Sequence, residues 1–335
     1  MDDAIDRMAE EVGVERAWIE GALLAAHTSY KNIRIKKRSG GVRVLIQPSV
    51  ETKMIQAWLQ LRILSRLPVS VIATAFEPGS SIVSNAKMHR NSRYSVRVDL
   101  SDFFPSIRLQ DLIEVIKSNR IAIPDWALEP QVQRLFAGAC FDRNMRLPVG
   151  YPTSPRIANL VMKKIDEQLI STIKSDVSKY GNAVLSRYAD DFVFSTDMRG
   201  ACANFVSALK FSLATTPSPV LRVNEKKTKM MSREGGSTLI TGLRVKQNGQ
   251  VGIHANYRDH LRLLLKLFAA DLLKTEERQQ LRGHLAFIAN ADPSLYTKLS
   301  FKYFAEIAKL NELTAMPSPR ASPPFKSAPS RSSRN

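Results

Sequence analysis

The sequence predicts an α+β fold, on three observations. Apolar residues follow strand-like patterns at 30–47, 94–100, 183–196 and 239–253. The segments between them carry helix-like periodicity, and from 256 to about 312 the pattern is helical throughout. The chain has 335 residues, 44% of them hydrophobic, which allows two or three lobes with a normal packed core.

In chain order, Ile5, Met8, Val12, Trp18, Leu23 and Leu24 recur at near-helical spacing and predict helix over 4–26. Residues 30–47 predict a hairpin that turns at Arg38-Ser39-Gly40-Gly41 and ends at Pro48. Met54, Ile55, Trp58, Leu59 and Ile63 can share one face of a helix over 50–66. Tyr94 to Leu100 alternates like a strand and runs into Ser101-Asp102-Phe103-Phe104-Pro105. Helices are expected over 107–118, 126–138, 156–174 and 200–214. Two β-rich runs, Ala183 to Tyr188 and Phe192 to Thr196, flank Ala189-Asp190-Asp191. Leu239 to Val245 and Val251 to Ile253 predict two strands joined at Gln247-Asn248-Gly249. Residues 313–335 are rich in Pro, Ser and Arg and contain no acid, which predicts a disordered basic tail.

Charge narrows the partner. The net charge of +18 favours a polyanion through counterion release at phosphates. Between Lys31 and Arg97, thirteen bases face only Glu51 and Glu77, so this segment carries +11 of the total. Cys140 and Cys202 form no CxxC, which fits a reducing cytoplasm better than a disulfide framework. The acidic, polar start is unlike a signal peptide. No apolar run approaches the ~20 residues of a membrane span, so no membrane partner is expected.

Two places put aspartates beside strands. Val96-Arg97-Val98 delivers Asp99 to a strand end, and two apolar strands meet at Asp190-Asp191 as a tight hairpin would present them. Nucleotidyl transfer needs such an arrangement, because hard oxygen ligands must hold two Mg²⁺ ions about 3.5–4 Å apart. A lone Asp-Asp in a turn is ordinary turn chemistry; its combination with Asp99 and the segments around them is not.

Those segments carry a resemblance. Tyr188-Ala189-Asp190-Asp191 resembles the YxDD box of reverse transcriptases, and Val98-Asp99-Leu100-Ser101-Asp102-Phe103-Phe104-Pro105-Ser106-Ile107 their first palm motif. Gly150-Tyr151-Pro152-Thr153-Ser154-Pro155-Arg156-Ile157-Ala158-Asn159-Leu160 resembles the intervening motif of retron and group II intron enzymes. Asn224-Glu225-Lys226-Lys227-Thr228 and Thr241-Gly242-Leu243 fall in order where later palm motifs should. The resemblance spans about residues 30 to 245 and implies a right-hand polymerase. Its N-terminal helices and fingers would occupy 1–97, a catalytic palm of antiparallel sheet with helices 98–250, and a helical thumb 251–312.

The resemblance also implies roles by position. Asp99, Asp190 and Asp191 would be the catalytic carboxylates and metal ligands, Asp191 the weaker one, with the Leu100 carbonyl as a further ligand. Phe104 would be the aromatic gate that rejects a ribose 2′-hydroxyl, selecting dNTPs. Lys36 and Arg43 resemble fingers residues that grip the triphosphate, Arg as a bidentate clamp and Lys as a point charge. Lys227 would assist pyrophosphate departure. In Leu147-Pro148-Val149-Gly150, many relatives have Gln where this chain has Val149, so nucleotide affinity and fidelity do not carry over from them.

Two further signatures resemble the retron type: Asn85-Ala86-Lys87-Met88-His89 matches NAxxH, and Ile240-Thr241-Gly242 approximates VTG. They imply RNA contact by Asn85 and His89, and by Tyr257, Arg258 and Arg262 of the thumb. The partners implied are a cognate structured non-coding RNA, its DNA product, dNTPs and a retron effector protein acting in anti-phage defence. Three rival readings stay open at this level. They are another bacterial reverse transcriptase, of abortive-infection type or an intron maturase fragment; a non-catalytic palm that binds RNA; and a general nucleic-acid binder.

Overall fold

Gly13 divides the first helical pattern in two, because its backbone turns to φ +74°, a conformation open to glycine at little cost. The computed structural model describes residues 4–36 and 40–315. In it α1 (Ala4–Val12) and α2 (Arg16–Ala25) bury Ile5, Met8 and Ile19. Strands β1 (Tyr30–Lys36) and β2 (Val42–Pro48) pair as an antiparallel ribbon. Ser49 then caps α3 (Val50–Arg62), its hydroxyl accepting from the Thr52 N–H at 3.2 Å.

Beyond a loop, α4 (Ile82–Met88) starts at a capping box between Ser81 and Ser84. Strand β3 (Tyr94–Ser101) leads through the single turn α5 (Phe103–Ser106) to α6 (Leu109–Ser118) and α7 (Pro130–Cys140). The long α8 (Ser154–Ser175) and short α9 (Val177–Tyr180) precede the hairpin β4 (Val184–Tyr188) and β5 (Asp191–Thr196). Helix α10 (Ala201–Thr215) returns the chain to β6 (Arg222–Ser232). A small meander follows, β7 (Ser237–Ile240), β8 (Leu243–Lys246) and β9 (Val251–Gly252).

The central sheet has the order β4-β5-β3-β6, antiparallel throughout. Register assigns its two faces, since side chains alternate along a strand. Val96 and Val98 pair with Phe194 and Phe192 on one face. All four are fully buried, and Phe194 stacks on Phe205 of α10 at 4.7 Å. Asp99, Asp191, Tyr188 and Asn224 are paired neighbours on the opposite face. The pleat thus separates a packed helical side from a polar side.

The chain divides into two compact units, the first ending at Gly252 and the second beginning at Ile253. The second comprises α11 (Ala255–Ala269), α12 (Thr275–Ala291), α13 (Pro293–Lys302) and α14 (Phe304–Ala315). They enclose a separate core of Leu261, Leu265, Phe268, Leu281, Ile288, Leu299 and Leu310.

Three expectations change. The strand predicted over 239–245 is a hairpin, because Thr241 and Gly242 both take positive φ (+46° and +84°) between Ile240 and Leu243, as a type I′ turn requires. Helix α14 runs to Ala315, so the predicted disorder cannot begin at 313; the rest of that tail, with Lys37 and Arg38, lies outside the described residues. Strand β6, built from Arg222-Val223-Asn224-Glu225-Lys226-Lys227 and onward, has no counterpart in the predicted strands. It is an edge strand and mostly exposed, so it lacks the apolar alternation that marks the others.

Candidate active site

The polar face of the sheet gathers the three aspartates. Asp99 and Asp191 are direct cross-strand partners, and Tyr188 pairs with Asp191 to close the hairpin around Ala189 and Asp190. Ala189 turns at φ +58°. The turn is tied to the neighbouring strand, since the Leu100 N–H donates to the Asp190 carbonyl at 3.0 Å. Two strands and a two-residue turn therefore deliver all three carboxyls to one end of one face.

Their electrostatics are those of crowded acids. Burial raises the Asp190 carboxyl above its ordinary range, and the charge of Asp99 adds to the shift. Asp191 is pushed up to about 6, by burial first and the Asp190 charge second. The Lys227 ammonium reaches both oxygens of Asp99 at 2.9 Å, and the Asn224 amide donates to Oδ2 at 3.2 Å. Arg97 Nε lies 3.9 Å from Asp191 Oδ1, an oxygen that is buried without a hydrogen bond.

That orphaned oxygen and the all-carboxylate donor set fit a hard divalent cation. Among the described residues, no three His, Cys, Asp or Glu side chains form a group that could hold an ion alone. The two observations agree for Mg²⁺, which takes one or two carboxylates and fills its remaining positions with water and substrate phosphate oxygens.

Beneath the turn lies a buried network without a predicted counterpart. Arg187, wholly buried, forks onto Asp166 of α8, with Nε to Oδ1 at 2.8 Å and Nη2 to Oδ2 at 2.7 Å. Its Nη1 donates to Asn159 Oδ1 and to the Ala189 carbonyl, both at 3.1 Å. Arg187 thus holds the Ala189–Asp190 turn from the helical side. A charged residue within the apolar run Leu185-Ser186-Arg187-Tyr188 is the signal that could have marked it, since such a group is buried only when paired.

The nucleotide-contact expectations divide. Phe103 is core, while Phe104 is half-buried and meets it edge-on at 5.2 Å. Lys36 and Arg43 differ in orientation. Lys36 pairs with Val42 and Arg43 with Ile35, so they project from opposite faces of the ribbon. Arg43 is the one whose charge is felt by Asp190. The ribbon is joined to the palm where the Ile46 N–H donates to the Val149 carbonyl at 2.8 Å. Gly150 permits this approach, since a Cβ there would stand 2.7 Å from the Ile46 carbonyl oxygen.

Two of the residues expected at RNA lie in the interior. Asn85 is fully buried and both its amide atoms lack hydrogen-bond partners. His89 is buried between Ser195 Oγ, 2.6 Å from Nδ1, and Ser186 Oγ, 2.8 Å from Nε2. Both lie inside the fold, where His89 ties α4 to the sheet. The Thr241 hydroxyl donates to the Ile82 carbonyl at 3.0 Å, so the second retron-like signature docks on the helix that carries the first. In the second unit, the Tyr257 hydroxyl is engaged by His284 Nδ1 at 2.6 Å. Arg258 and Arg262 flank Asp259 and keep about half their side chains exposed.

Comparison with known proteins gives concordant results. Residues 35–280 match the family described as reverse transcriptase (RNA-dependent DNA polymerase). The Retron Ec73 reverse transcriptase of Escherichia coli is 38% identical over 282 residues, covering 83% of this chain and 88% of that one. The Retron Ec86 reverse transcriptase of Escherichia coli is 30% identical, covering 80% and 77%. Among solved structures, telomerase from Candida albicans with a fragment of telomeric RNA aligns at a TM-score of 0.50 and 10% identity. That alignment covers 90% of this chain and 59% of the telomerase chain, and shows likeness of fold.

Proposed function

The chain belongs to the reverse transcriptase family, as an RNA-directed DNA polymerase of the retron type, and from that premise we propose what it makes and how. It copies its own structured non-coding RNA into single-stranded DNA that stays covalently joined to the RNA. Synthesis starts from a guanosine 2′-hydroxyl in that RNA. The setting is the cytoplasm, and the role is anti-phage defence beside an effector protein.

The observation that carries the chemistry is the cross-strand pairing of Asp99 with Asp191 beside the turn that bears Asp190. Two Mg²⁺ ions bound there would activate the attacking hydroxyl and steady the departing pyrophosphate. Asp99 and Asp190 would be their main ligands, with Asp191 and the Leu100 carbonyl in support. Lys227, held on Asp99 in this structure, is placed to pass its charge to the leaving phosphates. Arg43 clamps the triphosphate from the face of the ribbon that Asp190 senses, and Lys36 on the other face binds the nucleic-acid backbone. The Phe104 ring excludes a ribose 2′-hydroxyl. Arg258 and Arg262, the more open of the three thumb candidates, contact the cognate RNA, while Tyr257 orients their helix through His284.

The test uses Asp190→Asn, which removes a metal-binding charge and little volume. Expressed with the neighbouring non-coding RNA, the wild-type chain should co-purify with a branched RNA–DNA species. The variant should co-purify with the RNA alone, and its primer extension should fall by at least a thousandfold, the ~4 kcal/mol expected of a lost metal ligand. Near-normal extension by the variant in Mg²⁺ would overturn the assignment.

A further inference from the structure

Phe76 is an aromatic side chain that the packed core does not use. It is 55% exposed and sits at φ +64°, a conformation that a bulky residue adopts only as an outlier. Strain of that kind persists where the surroundings over-determine the backbone, and it gathers at functional sites. Here both flanks are pinned. Asn159 Nδ2 donates to the Ala75 carbonyl at 2.8 Å and to Glu77 Oε1 at 2.9 Å. Arg156 Nη1 holds Glu77 Oε2 at 2.7 Å, while its Nη2 holds the Leu67 carbonyl at 2.6 Å. Upstream, the Thr74 N–H donates to the Arg187 carbonyl at 2.8 Å. The loop is thereby fixed to α8 and β4, and Phe76 is pushed outward.

Its ring centroid lies 6.4 Å from that of Tyr188, the residue that opens the catalytic turn. The same ring lines an open cavity of about 480 Å³ with Pro78, Pro152, Pro155 and Arg156. An aromatic pair beside a polymerising centre, Phe76 exposed and Tyr188 half-buried, in a chain with +18 net charge, has one natural ligand class. Every nucleobase offers a π-face, so stacking grips a strand without reading its sequence. We propose that Phe76, flanked by Tyr188, is a nucleobase-stacking ledge that seats one base of the bound nucleic acid beside the catalytic carboxylates. The inference rests on the polymerase reading above.

A cycle of single-turnover primer extensions with the full chain tests it. The substrates are an intact RNA template–DNA primer duplex, one abasic at the first unpaired template position, and one abasic at the primer 3′ terminus. On the intact duplex, Phe76→Ala should slow extension about tenfold, within the range for loss of one stacked base. On one abasic duplex the same substitution should cost almost nothing further, and that duplex identifies the strand whose base is seated. Phe76→Trp should restore the intact rate. Phe76→Gly, whose backbone accepts φ +64° freely, should lose the rate while keeping or raising the melting temperature; a packing residue would lower it. Loss of rate that multiplies on both abasic duplexes, or no loss at all, would overturn the ledge while leaving the polymerase intact. Absence of extension by the wild-type chain in Mg²⁺ would remove the polymerase reading and the ledge with it.

Discussion

At the scale of single residues, neighbours in the sequence have divided their work by burial. Phe103 fills the core and Phe104 remains half-buried at its edge. Phe104→Ala should therefore raise ribonucleotide incorporation about tenfold, as if a clash of about 1.4 kcal/mol were removed. Competition between dNTP and rNTP in primer extension measures it, and an unchanged ratio would make Phe104 a packing residue. His89 makes a different prediction. Burial lowers its pKa to about 4 from an ordinary 6.5. The folded state thus resists protonation that the unfolded state accepts. Its contribution is complete above pH 6.5 and is lost as pH falls from there towards 4, on the order of 3 kcal/mol in all. Denaturant midpoints across that interval should slope downward with acid in the wild type. They should be flatter in His89→Gln, which can still bond to a serine hydroxyl. Equal slopes would mean that another group governs the acid limb.

Among elements, the hairpin β4–β5 depends on a pair outside it. Asp166→Ala leaves the Arg187 charge buried alone, so it should destabilise the fold by roughly 3–5 kcal/mol. Asp166→Leu combined with Arg187→Met should recover most of that stability. Primer extension by the double variant should stay low, because the Ala189 carbonyl has lost its donor. Urea melts and extension rates together decide this; full activity in the double variant would free the turn from Arg187. Elements also show how far the sequence could be read. Alternation at Val96-Arg97-Val98-Asp99 and the apolar runs around Asp190 predict the strands that carry the aspartates, because a half-buried strand must write its period into the chain. Strand β6 wrote none, since its pairing is carried by backbone bonds at an exposed, lysine-bearing edge. The resemblance identifies Lys36 and Arg43 by position along the chain, and the one-residue offset in ribbon register that parts them is invisible there. The NAxxH resemblance puts Asn85 and His89 at RNA by their place in a motif, which carries no information on burial. The burial of His89 depends on Ser186 of β4 and Ser195 of β5, about a hundred residues away in sequence.

Across the whole molecule, the proposed nucleic-acid contacts fall in two regions that differ in charge. Residues 31–97 carry +11, whereas 256–312 balance nine bases against seven acids. Phosphate contacts release counterions, so each one lost should lower the log–log salt slope by ~0.7–0.9. Replacing Arg34, Lys37 and Arg38 with Gln should weaken cognate and scrambled RNA alike, with a slope shallower by about 2 or 3. Replacing Arg258 and Arg262 should weaken the cognate RNA selectively, because contacts to bases and loop shape alter discrimination more than slope. Titrations at several salt concentrations separate the two. Equal loss for both RNAs in the second variant would reduce that helix to a basic clamp.

The alternation of the central sheet also bears on how such a gene can diverge. Arg187 faces the helices and Tyr188 the carboxylates, while Val98 and Asp99 divide the same way on the next strand. One codon gained or lost within residues 184–188 would exchange those faces. It would drive a guanidinium among the aspartates and an aromatic ring into the place of a salt bridge. Lineages can therefore drift here by substitution but not by change of length, and insertions should accumulate in the loops between elements instead.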